Sequence, residues 1–203
     1  MKSKNRSWIQ QHVKDPYVLQ SQRDGYRSRA SYKLLEIVEK NRLIRPGMTV
    51  VDLGSTPGGW SQVAARMVGH EGRVHALDIL PMDELADVTF IQGDFSQPEA
   101  LKALENSLEG RLVDVVLSDM APNMSGQKAV DQPKSMYLVE LALEFARENL
   151  RVGGCFLTKV FHSEGFEQYY KELRQHFEKV ISIKPKASRD RSTEVYVLAR
   201  GKL

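Results

Sequence analysis

The chain of 203 residues carries a single cysteine, Cys155, so no disulfide can form within it. That thiol lies inside an apolar run and reads as a small core side chain. Long apolar stretches are missing as well: none approaches the roughly 20 residues that cross a bilayer. The N-terminal Met-Lys-Ser-Lys-Asn-Arg-Ser is basic but continues into Trp-Ile-Gln-Gln-His, not into the apolar core of a secretory signal. A soluble protein of a reducing compartment is therefore expected, with no membrane partner. His12, His70, His75, His162 and His176 are scattered without ligand spacing, so no metal site is expected either. Low-complexity tracts, internal repeats and linkers are also lacking, and the length suits one domain, 1–203, with a full core.

What is present in excess is charge segregated along the chain. Residues 1–46 hold 11 Lys+Arg against 4 Asp+Glu, residues 171–203 hold 9 against 4, and the middle holds 9 against 18. Two basic flanks around an acidic body suggest a polyanion held beside a site for a cationic ligand. Arg23, Arg27 and Arg29 alternate with Tyr26 and Tyr32, and Lys184, Lys186, Arg189 and Arg191 lie near the other end. Arginine binds phosphate and aromatics stack on bases, so this pattern favours nucleic acid over a merely solvated face. Residues 1–29 read as a basic, RNA-contacting extension.

Hydrophobic periodicity alternates between strand and helix. Candidate strands are 48–53, 73–78, 88–92, 112–118, 153–160, 179–184 and 194–200. Helical spacing covers 59–69, 98–108, 133–150 and 164–177, and a further helix at about 30–42 has Ser31 or Ser28 as its cap. Such alternation implies a mostly parallel sheet with helices on both faces. The last two strands are separated only by Pro185 to Thr193, so the seventh should pair antiparallel with the sixth.

Ligands of such sheets bind beyond the carboxyl ends of the strands. The first strand ends in Val51-Asp52-Leu53-Gly54-Ser55-Thr56-Pro57-Gly58-Gly59-Trp60, a turn whose glycines admit a ligand close to the backbone. Its spacing is not the Gly-x-Gly-x-x-Gly of dinucleotide binders, and Asp52 suits an ammonium group better than a pyrophosphate. The second strand ends in Asp78, placed for two ribose hydroxyls, and the third in Gln92-Gly93-Asp94, where a carboxylate can accept from an exocyclic amine such as that of adenine. Ammonium, ribose and adenine receptors in that order describe S-adenosylmethionine. The fourth strand end, Ser118-Asp119-Met120-Ala121-Pro122-Asn123, falls beside the expected methyl group and lacks the Pro-Pro pattern of exocyclic-amine methyltransferases. The expected cofactor set is Asp52, Gly54, Pro57, Gly58, Gly59, Trp60, Asp78, Asp94 and Asp119. Trp60 opens a helix and is expected to pack, as are Met120, Met124 and Met136.

Four charged residues sit where strands or helices should deliver them to one cleft. Lys159 and Asp119 end apolar strands, Glu194 opens the last strand, and Lys33 lies in the first helix. Charge in a buried strand must be paired or used.

With those segments in view the chain resembles the FtsJ/RrmJ-like ribose 2′-O-methyltransferases of large-subunit ribosomal RNA. The resemblance runs through Arg27-Ser28-Arg29-Ala30 with Lys33-Leu34, Val51-Asp52-Leu53-Gly54, Pro57-Gly58-Gly59-Trp60-Ser61-Gln62, Leu80-Pro81-Met82-Asp83, Gln92-Gly93-Asp94-Phe95, Ser118 to Gly126, and Lys159-Val160-Phe161. The family's Lys-Asp-Lys-Glu tetrad falls on Lys33, Asp119, Lys159 and Glu194. The tRNA-modifying relatives usually read Asp-Gly-Ala-Pro-Asp where this chain has Asp-Met-Ala-Pro-Asn, so the ribosomal branch is closer. Departures are Ser55-Thr56 for two alanines and His162-Ser163 for the usual Gln-Gly.

The resemblance implies a class I S-adenosylmethionine-dependent methyltransferase fold, Rossmann-like, and a cytoplasmic monomer is expected. It also implies methylation of a uridine ribose in 23S rRNA, in the loop of the assembled large ribosomal subunit that contacts aminoacyl-tRNA. Lys159 is then the base or the group orienting the 2′-hydroxyl, Asp119 orients it, and Lys33 and Glu194 complete the network. Arg27, Arg29, Lys33, Lys186, Arg189 and Arg191 are the expected RNA contacts. Alternatives are a tRNA ribose 2′-O-methyltransferase, a non-catalytic RNA-binding assembly factor, and a nicotinamide-dependent oxidoreductase, the last opposed by the glycine spacing and Asp52.

Overall fold

The computed structural model describes residues 15–162, 165–189 and 192–203. Residues 1–14 of the expected basic extension, with His12, and also Ser163 and Arg191, lie outside the described residues. The extension nonetheless contains an element that periodicity alone does not announce. Helix α1, Pro16–Asp24, starts because Asp15 accepts a hydrogen bond from the Tyr17 amide at 3.0 Å and Pro16 needs no amide partner in the first turn. It stops at Gly25, which takes the left-handed conformation at φ 72°.

Helix α2, Ser31–Asn41, buries Leu34, Ile37 and Val38 at helical spacing. Neither serine caps it: the cap position is Ala30, which makes no side-chain cap bond, and the buried Ser31 hydroxyl donates instead to the Gly59 carbonyl at 3.1 Å. That bond ties α2 to the turn after the first strand. The elements then follow as β1 Thr49–Leu53, α3 Gly59–Val68, β2 Arg73–Asp78, β3 Val88–Gln92, α4 Pro98–Ser107, β4 Val113–Ser118, α5 Lys128–Asn149, β5 Leu150–Phe161, α6 Phe166–His176, β6 Phe177–Ile183 and β7 Glu194–Lys202. Helix α5 begins five residues before the expected 133 and carries Pro133 inside it. Strand β5 begins at Leu150, three residues before the expected 153, across a register slip between Val113 and Val115 of β4.

The seven strands form one sheet in the order β3-β2-β1-β4-β5-β7-β6. The pairs from β3 to β5 are parallel, and β7 runs antiparallel to both β5 and β6, so the last strand lies between them. Strand alternation sends Val51 and Leu53 to one face, against Leu104, Leu143 and Leu173 of α4, α5 and α6. Val50, Leu117, Leu157 and Leu198 go to the other, against Leu34 of α2 and Trp60 and Val63 of α3. Each such leucine contributes about 1.5–3 kcal/mol by leaving water. The strand order reverses between β1 and β4, and the crevice at that reversal is where a ligand of a doubly wound sheet binds.

Candidate active site

The register of β5 against β7 decides which side chains meet at this crevice. Lys159 is paired with Tyr196 and Phe161 with Glu194. Directly opposed residues share a face, and Glu194 and Tyr196 share one by their spacing of two. That face is the one covered by α2, so Lys33 arrives from the helix above. Asp119, one residue past β4, is held by its amide donating to the Leu53 carbonyl at 3.0 Å.

The result is one continuous chain of polar contacts. Lys33 Nζ lies 2.5 Å from Glu194 Oε1 and donates to the Tyr196 hydroxyl at 3.3 Å. Tyr196 donates to Asp119 Oδ1 at 3.0 Å. Lys159 Nζ, in a side chain 10% exposed, donates to the Asp119 carbonyl at 2.6 Å and pairs with its Oδ1 at 3.0 Å. All four expected charges are thus brought together, and Tyr196 is the member that sequence reasoning missed. Its signal was available, since a phenol two residues after Glu194 on a strand must share its face. The ring packs on Trp60 with centroids 5.6 Å apart, and Lys33 Nζ sits 5.6 Å from the Tyr196 centroid.

Electrostatics follow from that arrangement. Burial would raise the Glu194 carboxyl, but the Lys33 hydrogen bond and the charges of Lys33 and Lys159 outweigh it and hold the group below the ordinary carboxylate range. Burial, with the charges of Asp119 and Glu194, pushes the Tyr196 phenol well above its usual value, so it serves as a neutral donor.

Beside the network a cavity of about 480 Å³ opens over the ends of β1, β2, β3 and β4, lined among others by Gly54, Thr56, Asp78, Asp94, Asp119 and Met120. Gly54 has φ +79°, and a Cβ there would meet Met120 backbone and side-chain atoms at 2.8–2.9 Å, so only glycine lets the two strand ends approach. Asp78 accepts from the Thr56 and Leu80 amides at 2.9 and 2.8 Å, one on each oxygen. Asp94 takes the Ser96 amide and hydroxyl on Oδ1. Each carboxylate oxygen has two lone pairs, so both acids keep acceptor capacity.

Asp52 lies beneath the turn and is fully buried. Its Oδ2 accepts from Ser61 Oγ at 2.6 Å, while Oδ1 has no partner. Burial pushes this carboxyl up to about 7, with the charges of Asp119 and Asp78 adding to the rise and the Ser61 bond opposing it. Asp52, Pro57, Gly58, Gly59 and Trp60, expected in the cofactor set, do not line the cavity. Gly59 packs on Ser28 and Ser31, and Trp60, 3% exposed, donates from Nε1 to the Ala30 carbonyl at 2.8 Å. The loop after Asp119 is tethered by Asp131, which accepts from the Ser125 amide and hydroxyl and from the Gly126 amide at 2.8–2.9 Å. The Ser125 amide bond is the main cause that lowers the Asp131 carboxyl.

On the other side of the network a second cleft, about 390 Å³, is lined by Arg29, Ala30, Lys33, Arg189, Ser192 and Glu194. Arg29 is bonded to the Asp15 carboxylate and the Ala187 carbonyl. Lys184, Lys186 and Arg189 are exposed along the same edge. Arg27, by contrast, donates to three carbonyls of its own chain. Among the described residues, no group of three or more His, Cys, Asp or Glu side chains is placed to hold a metal, and no helix is long and apolar enough to cross a membrane.

Comparison with known proteins adds a family. A family model described as FtsJ-like methyltransferase matches residues 26–202. Ribosomal RNA large subunit methyltransferase E of Alkalilimnicola ehrlichii is 62% identical over 197 residues, covering 97% of this chain and 94% of that protein. The protein of the same name from Pseudomonas aeruginosa is 59% identical over 197 residues, with 97% and 95% covered. A crystal structure described as a ribosomal RNA methyltransferase from Plasmodium falciparum superposes with a TM-score of 0.79 at 28% identity, covering 88% of this chain and 99% of that one.

Proposed function

The chain belongs to the FtsJ-like methyltransferase family, and we propose that it transfers a methyl group from S-adenosylmethionine to the 2′-hydroxyl of a uridine ribose in 23S rRNA. The substrate in this reading is the assembled large ribosomal subunit, at its aminoacyl-tRNA-contacting loop, in the cytoplasm. The observation that carries the proposal is the position of the hydrogen-bonded network between two cavities. Asp119 at one end lines the larger cavity, and Lys33 and Glu194 at the other line the basic cleft. A reaction between a bound small molecule and a polyanion needs a network facing both. The names of the large-subunit relatives support the class of RNA.

The larger cavity fits S-adenosylmethionine chemically. Asp78 and Asp94 line it and retain acceptor capacity for ribose hydroxyls and an adenine amine, Gly54 leaves the wall bare, and Asp52, buried beneath the glycine turn without lining the cavity, keeps an unpartnered oxygen as counter-charge to an ammonium group. When bound, the cofactor supplies a methyl group activated by a sulfonium leaving group. The protein's share is then positioning and one proton. Lys159 meets the 2′-hydroxyl: as the ammonium ion it holds the oxygen in line, and only as the neutral amine does it take the proton as the bond forms. Asp119 fixes the lysine through both its carbonyl and its carboxylate, and its negative charge suits the sulfonium side. Lys33 and Glu194 hold the ribose or its phosphate, with Tyr196 joining them to Asp119.

The test is labelled methyl transfer to large subunits that lack the modification, followed by mapping of the labelled nucleotide. Label on the 2′-oxygen of one uridine in 23S rRNA is the expected result. Label on a base, or on tRNA in preference to the subunit, would contradict it.

A further inference from the structure

Arg27 lies in the connection between α1 and α2, inside the basic N-terminal flank, where its charge alone suggests a phosphate contact. Three of its five guanidinium N–H donors are spent elsewhere. Nη1 donates to the Asp83 carbonyl at 2.8 Å and to the Pro57 carbonyl at 3.3 Å, and Nη2 donates to the Glu84 carbonyl at 2.7 Å. Pro57 belongs to the glycine turn after β1, and Asp83 and Glu84 belong to the loop after β2. One guanidinium therefore clamps two loops that are separate in sequence.

Those loops supply the wall of the larger cavity through Thr56, Asp78 and Leu80. They are also tied directly, by the Thr56 amide donating to Asp78 Oδ2 at 2.9 Å and the Thr56 hydroxyl donating to the Leu80 carbonyl at 3.2 Å. Arg27 closes the outer side of the same junction. A Cβ on Gly58, which has φ +105°, would lie 3.0 Å from Arg27 Nη1 and 3.0 Å from Met82 Sδ, so the arginine and the loop after β2 pack against a bare α-carbon. The arginine is in turn anchored from behind. Its amide donates to Gln62 Oε1 at 3.1 Å, and Gln62 Nε2 donates to the Gly25 carbonyl at 2.7 Å. Gln62 lies in α3, the helix that the glycine turn opens.

We propose that Arg27 is a positioning residue for the cofactor cavity, a strut that locks the glycine turn to the loop after β2, and that it is not a phosphate contact. The inference rests on the reading of that cavity as the S-adenosylmethionine site. Its chemistry depends on the planar fork, because a guanidinium bridges carbonyls on two loops in fixed geometry and an ammonium on a flexible stem does not. The N-terminal segment thereby sets cofactor affinity through the shape of the cavity, while its RNA contacts fall to other cations.

The experiment compares the full-length parent with Arg27→Lys, Arg27→Ala and Arg23→Ala. Calorimetric titration with S-adenosylmethionine is combined with initial rates at varied cofactor, salt-dependent RNA binding and thermal melting. Arg27→Lys keeps the charge and loses the fork. It should bind cofactor about tenfold more weakly, as removal of a charge-assisted bond implies, with a raised KM for cofactor, a retained kcat at saturation and a parental RNA salt slope. Arg27→Ala should match it in cofactor affinity, and Arg23→Ala, an exposed residue of the same segment, should bind cofactor as the parent does. If Arg27→Ala fails to fold, the lysine variant decides alone. Parental cofactor affinity in Arg27→Lys would overturn the proposal. So would a drop in RNA affinity and salt slope in Arg27→Ala with cofactor binding intact. A parent chain that takes up no S-adenosylmethionine would overturn the cofactor reading itself, and the strut with it.

Discussion

Tyr196 donates its phenolic hydrogen to Asp119 Oδ1 at 3.0 Å, the same oxygen that Lys159 approaches at 3.0 Å. One carboxylate oxygen thus gathers a neutral donor and a cation, and the tyrosine oxygen receives Lys33 from the other side. The phenol hydroxyl thereby joins the Lys33–Glu194 pair to the Asp119–Lys159 pair, a role separable from that of its ring.

Tyr196→Phe keeps the packing on Trp60 and removes that hydroxyl alone. The expected outcome is a drop of roughly 1–2 kcal/mol in stability, from the orphaned partners. Single-turnover methyl transfer should fall by about tenfold or more, because Asp119 and Lys33 lose their common reference. Cofactor affinity should stay near parental. Thermal melting, calorimetry and single-turnover rates measured on one preparation separate the three effects.

Asp52 gives a dependence on pH whose sign is fixed by its burial. Its carboxyl is pushed up to about 7 in the folded chain, against about 3.9 for an unperturbed aspartate. The folded state therefore binds more protons than the unfolded one between those values, and stability falls as pH rises through that window. Asp52→Asn keeps an acceptor for Ser61 and removes the charge. At pH 8 the apo variant should be more stable than the parent by on the order of 2–4 kcal/mol, and the gain should shrink towards pH 4. In the cofactor reading the same variant should bind S-adenosylmethionine more weakly, since Asp52 is then the counter-charge to its ammonium group. Denaturant titrations at a series of pH values check the first part, and calorimetry checks the second.

Much of the sheet is legible because five of its seven strands carry a distinctive residue at or near the carboxyl end: Asp52, Asp78, Asp94, Asp119 and Lys159 all fall at or near the crevice that the strand order creates. The seventh strand pairs antiparallel with the sixth as expected, and also with β5, a partnership that no local pattern encodes. Helix α1 was hidden because only Val18 and Ser21 are buried on it, too few for an apolar stripe, although Asp15-Pro16 and Gly25 mark both its ends. The start of α5 was hidden by Pro133, which reads as a first-turn residue but sits within the helix. Tyr196 was absorbed into the apolar alternation of its strand. Arg27 reads as an RNA contact in the sequence because the carbonyls it serves belong to backbone, which carries no mark there.

The basic edge offers a test independent of cofactor. Lys184, Lys186 and Arg189 are exposed beside the second cleft, with Lys184 bonded to the Ser192 carbonyl and Arg189 3.9 Å from the Asp15 carboxylate, and Arg29 is held by Asp15 and Ala187. Neutralising the three exposed residues together should weaken binding to the subunit or its RNA. It should also flatten the slope of log affinity against log salt by about 0.7–0.9 for each phosphate no longer neutralised. Cofactor affinity should be unchanged. A salt slope equal to the parent's would show that these charges only solvate a face.

If Lys159 acts on the reacting hydroxyl only once both reactants are bound, single-turnover methyl transfer by Lys159→Ala on large subunits lacking the modification isolates its role. The expected outcome is a folded variant that binds S-adenosylmethionine and the subunit nearly as the parent does, yet is slowed at least about a hundredfold in the methyl-transfer step, the scale of a positioned acid–base group. A near-parental single-turnover rate would contradict it, and the proton and the in-line geometry would then have to be assigned to Asp119, Glu194 or water.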